Sequence, residues 1–217
     1  MKSDQVIEYD VKEELRFHPQ LDASDIAVAV KDGVVLLSGF VRSFLEKYEA
    51  ENAAKRVAGV VGVANDIEVR LRDVDERPDP EIARDAVAAI RAQLPLSWEK
   101  IKVTVKNGWI TLEGTVEWQY QRQDAERAVR GIKGVKGVSN LIVLKPTVQP
   151  VEIKRRIEEA LKRNAELDAQ RIQVEFHGNE VILTGTVRSW AEREEAERVA
   201  WSAPGVTKVD NRIRVAA

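Results

Sequence analysis

The side chains in this chain that most readily do chemistry are too few and too scattered for a catalytic centre. Its 217 residues include two histidines, His18 and His177, and no cysteine. That removes thiolate nucleophiles, disulfides, Fe–S clusters and cysteine-type zinc sites, and leaves too few imidazoles for a multi-histidine metal site. Both histidines stand beside turn or loop sequence and read as exposed. The adjacent carboxylates Glu158 and Glu159, or Glu194 and Glu195, lie on helical sequence, where neighbours point in different directions. They form solvated faces, not acid and base partners. Gly131-Ile132-Lys133-Gly134 and Gly134-Val135-Lys136-Gly137 imitate an RNA-binding Gly-x-x-Gly loop, but Gly205-Val206-Thr207-Lys208 breaks the pattern. With 34 basic against 36 acidic side chains, a net charge of −2 gives no general attraction to nucleic acid. The expectation is a non-enzymatic protein with no cofactor, no metal and no nucleic acid.

Residues suited to surface contact are easier to find. At ~100° per residue, Arg122, Arg130 and Lys133 share an arc of about 80° on one helical stretch, with Trp118 and Tyr120 at its start. Cations beside interfacial aromatics suit anionic lipid headgroups. The same set also reads as a solvated face, because Trp118 falls near the apolar stripe of Ala125, Val129 and Ile132. Trp190 and Trp201, nearly three helical turns apart, share a side away from Ala196, Val199, Ala200 and Ala203. They fit a contact between modules, a partner or a lipid zone. Residues 1 to 73 hold 10 basic against 14 acidic side chains, residues 74 to 146 hold 12 against 10, and the remainder 12 against 12, so the middle third is the basic one.

What must position these residues is a unit written three times. Ser38-Gly39-Phe40-Val41, Glu113-Gly114-Thr115-Val116 and Thr184-Gly185-Thr186-Val187 align, as do Gly59, Val60, Val63 and Asn65 with Gly134, Val135, Val138 and Asn140 and with Gly205, Val206, Val209 and Asn211. Each copy opens with a helical stripe (Ile7, Val11, Leu15; Ile82, Ala86, Ile90; Ile153, Ile157, Leu161). Two alternating strands follow, joined by Asp32-Gly33, Asn107-Gly108 or Gly178-Asn179. Ser43-Phe44-Leu45-Glu46 and Ser189-Trp190-Ala191-Glu192 are capping boxes opening a second helix, replaced by Trp118-Gln119-Tyr120-Gln121 in the middle copy. A third strand closes each unit. The anchor glycines Gly39, Gly114 and Gly185 are expected to admit a helix backbone against the sheet. Proline-bearing linkers run over Asp73–Pro80 and Lys145–Pro150.

The fold class expected is α+β: three tandem αββαβ modules over residues 1–73, 77–146 and 147–217, each a three-stranded mixed sheet with two helices on one face. The other face carries Val34, Leu36 and Phe40 in the first copy and Trp109, Leu141 and Val143 in the second. We expect these surfaces, Trp109 among them, to be buried between modules.

The αββαβ unit, with its Asp/Asn-Gly hairpin, Gly-Thr-Val strand, Ser-x-x-Glu helix start and Gly-Val-x-x-Val-x-Asn closing motif, resembles the BON domain. The resemblance covers the whole chain three times. It implies a bacterial protein of the OsmY-like group, linked to osmotic and envelope stress, whose domains engage phospholipid surfaces or envelope and stress proteins. A potassium-sensing or other ion-binding regulator is the alternative the family allows. No apolar run is long enough for a transmembrane segment, and the amino terminus has no secretory pattern. Location is therefore expected to be cytoplasmic if the chain is full length, or periplasmic, as is common for OsmY-like proteins.

Overall fold

The computed structural model describes residues 2–145, 153–164 and 171–216. The order α-β-β-α-β occurs three times: α1 (Asp4–Phe17), β1 (Ile26–Lys31), β2 (Val34–Val41), α2 (Phe44–Arg56), β3 (Gly62–Val69); α3 (Asp79–Gln93), β4 (Ile101–Lys106), β5 (Trp109–Val116), α4 (Gln119–Arg130), β6 (Gly137–Leu144); α5 (Ile153–Arg163), β7 (Ile172–His177), β8 (Glu180–Val187), α6 (Trp190–Trp201), β9 (Lys208–Val215). Each unit holds a three-stranded sheet with its second strand in the centre. In the second and third units the first two strands are antiparallel and the last two parallel, so the sheets are mixed. The second expected linker, from Pro146 to Pro150, lies outside the described residues. The described residues divide into two compact units, one drawn from 2–39, 49–66, 153–164 and 171–216 and the other from 40–48 and 67–145.

Burial of the helical stripes drives each layer. Ile82, Ala86 and Ile90 of α3 and Ala125 and Val129 of α4 join Ile110, Leu112, Val116 and Ile142 in one core cluster. Both helices therefore cover the same sheet face. In the third unit α5 and α6 cover Val181, Leu183, Val187 and Ile213 in the same way. Ile7, Val11, Leu15, Val35 and Leu37 are likewise buried in the first.

Polar groups then fix the register. Asp32 and Asn107 have φ of 51° and 53°, each followed by a positive-φ glycine, as a two-residue hairpin requires. The Asp4 carboxylate accepts the Asp32 and Gly33 amides at 2.9 and 3.0 Å, and Asp79 accepts those of Asn107 and Gly108 at 2.7 and 2.9 Å. Asp79 thus clasps the hairpin from the first residue of α3 and does not cap that helix. Gln121 performs half of a capping box, its side chain accepting the Glu117 and Trp118 amides at 3.0 Å each.

The recurring asparagine of the closing motif is a strand-to-helix staple. Asn140 donates to the Arg122 carbonyl at 2.8 Å and the Glu126 carboxylate at 3.1 Å while accepting the Ile142 amide at 3.3 Å. Asn211 repeats all three bonds with Arg193, Glu197 and Ile213. Asn140→Ala leaves half-buried partners unsatisfied and is expected to destabilise the middle module by ~1–3 kcal/mol, read from the denaturant midpoint.

Two expectations are corrected. The anchor glycines do not admit a helix: a Cβ on Gly39, Gly114 or Gly185 would overlap the carbonyl oxygen of Asp25, Lys100 or Arg171, each just before the neighbouring strand. Nor are the outer sheet faces of the first and second modules buried. Val34, Leu36, Trp109, Leu141 and Val143 are all exposed, by 39 to 61%.

Candidate surface-contact site

The cations expected to form one free arc are each engaged. The Arg122 guanidinium is half-buried and reaches the Asn140 carbonyl at 3.5 Å, as that of Arg193 reaches the Asn211 carbonyl at 2.7 Å in the third module. That equivalence makes Arg122 a clamp between helix and strand. Only 12% of the Arg130 side chain is exposed; it pairs with Glu126 at 2.8 Å, and its guanidinium lies 3.3 Å above the centroid of the Tyr48 ring. Lys133 falls beyond the end of α4 and pairs with Asp75 at 3.1 Å. Hydrogen bonds from Arg72 and Lys133 hold the Asp75 carboxyl below the ordinary carboxylate range. Trp118, at the cap of α4, is half-buried, and Tyr120 is 56% exposed. Trp118 and Tyr120 thus stand at one end of α4 and Lys133 beyond the other, and each of the three cations is engaged within the protein.

The tryptophan pair also separates. Trp201 packs against the core cluster of the third module, its indole donating to Glu197 at 3.4 Å. Trp190 instead meets the first repeat: the Lys55 ammonium lies 5.7 Å from its ring, and Glu194 accepts both the Trp190 indole at 3.0 Å and Lys55 at 3.4 Å. Arg193 lies over the same ring at 5.0 Å. Burial disfavours the Lys55 charge, but Glu51 and Glu194 outweigh it and keep that ammonium protonated above its usual range. Contact between repeats also occurs at Phe44, at the start of α2, which packs against the middle module's core. His18 is not a free loop histidine; its side chain is 15% exposed and 3.5 Å from Glu49, whereas that of His177 is 70% exposed.

The basic, apolar surface lies instead on the outer face of the β4-β5-β6 sheet. The Trp109 indole lies against Gly137, where a Cβ would overlap its six-membered ring, and donates to Ser139 at 2.9 Å. Two contacts hold the indole in place while 49% of the residue stays exposed. Leu141 and Val143 continue the same face along β6, and Lys106 stands opposite Trp109 in register. Lys102, Lys106 and Lys145 are exposed and have no carboxylate partner among the described residues. Glu113, opposite Lys102, is the acid on this face. Sequence reading found Trp109, Leu141 and Val143 but missed the lysines. The available signal was parity: Lys102 and Lys106 alternate with the inward Ile101, Val103 and Val105.

Among the described residues no cluster of three or more His, Asp or Glu could hold a metal ion, and no helix is long and apolar enough to cross a membrane.

A thrice-repeated αββαβ architecture whose binding candidates lie on an open sheet face defines a tandem-domain protein. The BON domain model matches residues 3–70, 78–146 and 151–217, and the chain belongs to the BON domain family. It is 34% identical over 129 residues to the osmotically-inducible protein Y of Escherichia coli K12, a match covering 57% of this chain and 63% of that protein. The match therefore spans less than two thirds of that relative. Among solved structures it is similar to CdsD, a structural protein of the type III secretion system of Chlamydia trachomatis, with 14% identity and a TM-score of 0.27 over 99% of this chain and 93% of that one. The CdsD C-terminal domain gives 14% and 0.25 over both chains in full.

Proposed function

We propose that this chain is a non-enzymatic, osmotic-stress-associated bacterial protein, built of domains over about residues 1–73, 77–146 and 147–217, whose middle domain rests its outer sheet face on an anionic phospholipid surface. The observation that carries the reading is the coincidence on that one face of Lys102 and Lys106 with exposed Trp109, Leu141 and Val143, with exposed Lys145 just past the end of β6 and none of the three lysines in an ion pair among the described residues. Ammonium groups on flexible stems reach headgroup phosphates while the stems and neighbouring aliphatic side chains occupy the interfacial zone. Similarity to an osmotically-inducible protein supports the stress association. Kinship with a group that is commonly exported supports the periplasmic location over the cytoplasmic one.

The test is co-sedimentation of the full chain with vesicles. Binding to phosphatidylglycerol-containing vesicles at low salt, falling steeply as salt shortens the screening length, is expected; zwitterionic vesicles should retain little protein. Equal retention by both vesicle types would remove the electrostatic basis of the proposal.

A further inference from the structure

The two contacts between repeats described above are one joint used twice. Arg130, four residues before Gly134, covers Tyr48, nine residues after Gly39. Lys55, four residues before Gly59, pairs with Glu194, nine residues after Gly185, and lies beside the Trp190 ring. Both joints therefore set the end of one repeat's second helix against the start of another's, at the same positions. Phe44 and Trp190 hold matching places at the start, five residues after the anchor glycine. In the first joint Leu45 adds a contact beyond Arg130, lying 3.9 Å from where a Cβ on Gly131 would stand.

The halves of this joint differ, so the contact is heterologous, and three repeats joined twice leave one half of each kind unused. The end of α4 with the start of α2 makes one joint; the end of α2 with the start of α6 makes the other. What remains is the start of α4, with Tyr120, Gln123 and Arg127 on one arc of ~60°, and the end of α6, with Trp201 and Ser202. Both halves are open. Tyr120 is 56% exposed, the Arg127 side chain 70%, and Gln123 and Ser202 are exposed too, whereas the engaged Lys55 and Arg130 side chains keep 20% and 12%.

The chemistry of the two open halves matches. In each used joint a cation at the helix end, bonded to a carboxylate one turn back (Lys55 to Glu51 at 2.9 Å, Arg130 to Glu126 at 2.8 Å), meets an aromatic ring on the facing helix start. On α6 the carboxylate is kept as Glu197, but the residue bonded to it is the half-buried Trp201. The cation stands on the other half, as Arg127, one turn beyond Gln123. Its bond to Asp124 at 3.0 Å leaves the guanidinium exposed, and Arg130 shows that such a bond is compatible with stacking on a ring. Cation and aromatic have exchanged sides, and the pair is preserved. We infer that the start of α4 in one molecule receives the end of α6 from a second copy of this chain, extending the joint head to tail between molecules.

A chain without cysteine lends itself to cross-linking. Tyr120 and Ser202 are the counterparts of Leu45 and Gly131, which meet in the first joint. Tyr120→Cys and Ser202→Cys proteins, mixed and oxidised without vesicles, should give a cross-linked dimer of unlike chains in clear excess over either like pair. By sedimentation equilibrium the average mass of wild type, which needs no substitution, should rise between micromolar and millimolar concentration. Arg127→Glu, which sets a carboxylate against Trp201 and Glu197, should weaken that association roughly tenfold with an unchanged thermal melt. A wild-type mass that stays monomeric, like pairs that cross-link as readily as unlike ones, or wild-type association by a folded Arg127→Glu variant would overturn the proposal. So would a Tyr120→Cys, Ser202→Cys double variant that oxidises only within one chain. No lipid enters these measurements, so their failure is distinct from failure of the lipid reading.

Discussion

Replacing Gly114 by alanine is expected to unfold the middle module. Gly114 has φ of +135°, a region essentially closed to residues with a side chain, and an added Cβ would overlap the Lys100 carbonyl oxygen. That oxygen belongs to backbone at the entry of β4, so no flexible side chain can yield to make room. The combined strain and displacement exceed ~4 kcal/mol, comparable to the whole stability of a small domain. Loss of a cooperative transition should be seen by denaturant titration of the variant, with hydrogen-exchange protection vanishing from β4, β5 and β6. A variant that kept wild-type protection in those strands would show that the entry to β4 relaxes freely, contrary to the close approach described above. Gly39 and Gly185 meet Asp25 and Arg171 in the same way, so the effect should recur in each repeat.

The largest functional effect is expected from Lys102→Glu, Lys106→Glu and Lys145→Glu together. Each basic residue near an anionic surface contributes ~1 kcal/mol, so losing three lowers affinity by about two decades before the added repulsion is counted. All three are exposed and lack ion pairs among the described residues, so the melting transition should move little. Arg122→Glu, Arg130→Glu and Lys133→Glu together form the contrasting variant. There the loss should fall on stability, because Arg122 clamps the Asn140 carbonyl, Arg130 stacks on Tyr48 and bonds Glu126, and Lys133 pairs with Asp75. Co-sedimentation and thermal melts of both variants separate the two surfaces. Near-normal vesicle binding by the first variant, with loss in a still-folded second, would return the contact to the helix arc.

The fold was legible because its determinants are local and periodic. The Ile7, Val11 and Leu15 stripe, the Asn107-Gly108 turn and the Gly-Val-x-x-Val-x-Asn motif each state their element within a few residues. The reasons behind some of them were not legible. Gly114 and Asn140 act on Lys100, Arg122 and Glu126, partners that only the tertiary register brings near. The candidate site was legible by half for the same reason. A helical projection groups Arg122 with Arg130, but it carries no information about Tyr48, which covers Arg130 from another repeat. It sets Trp190 and Trp201 on one side, yet one meets Lys55 and the other its own module's core. The outer-face Lys102 and Lys106 are legible from strand alternation, but two lysines in a six-residue strand carry no periodic charge signal of their own.

The absence of cysteine from the chain permits a direct test of whether the outer face of the middle sheet meets an anionic vesicle surface as proposed. Thr115 and Thr186 occupy equivalent exposed positions on the outer faces of the second and third sheets. Thr115→Cys and Thr186→Cys, each labelled with an environment-sensitive fluorophore, report on one face apiece in otherwise identical proteins. On addition of phosphatidylglycerol vesicles, the account predicts a blue shift and brightening at position 115, reversed by high salt, with little change at 186. An unshifted spectrum at 115 under conditions where the protein co-sediments with the vesicles would contradict it.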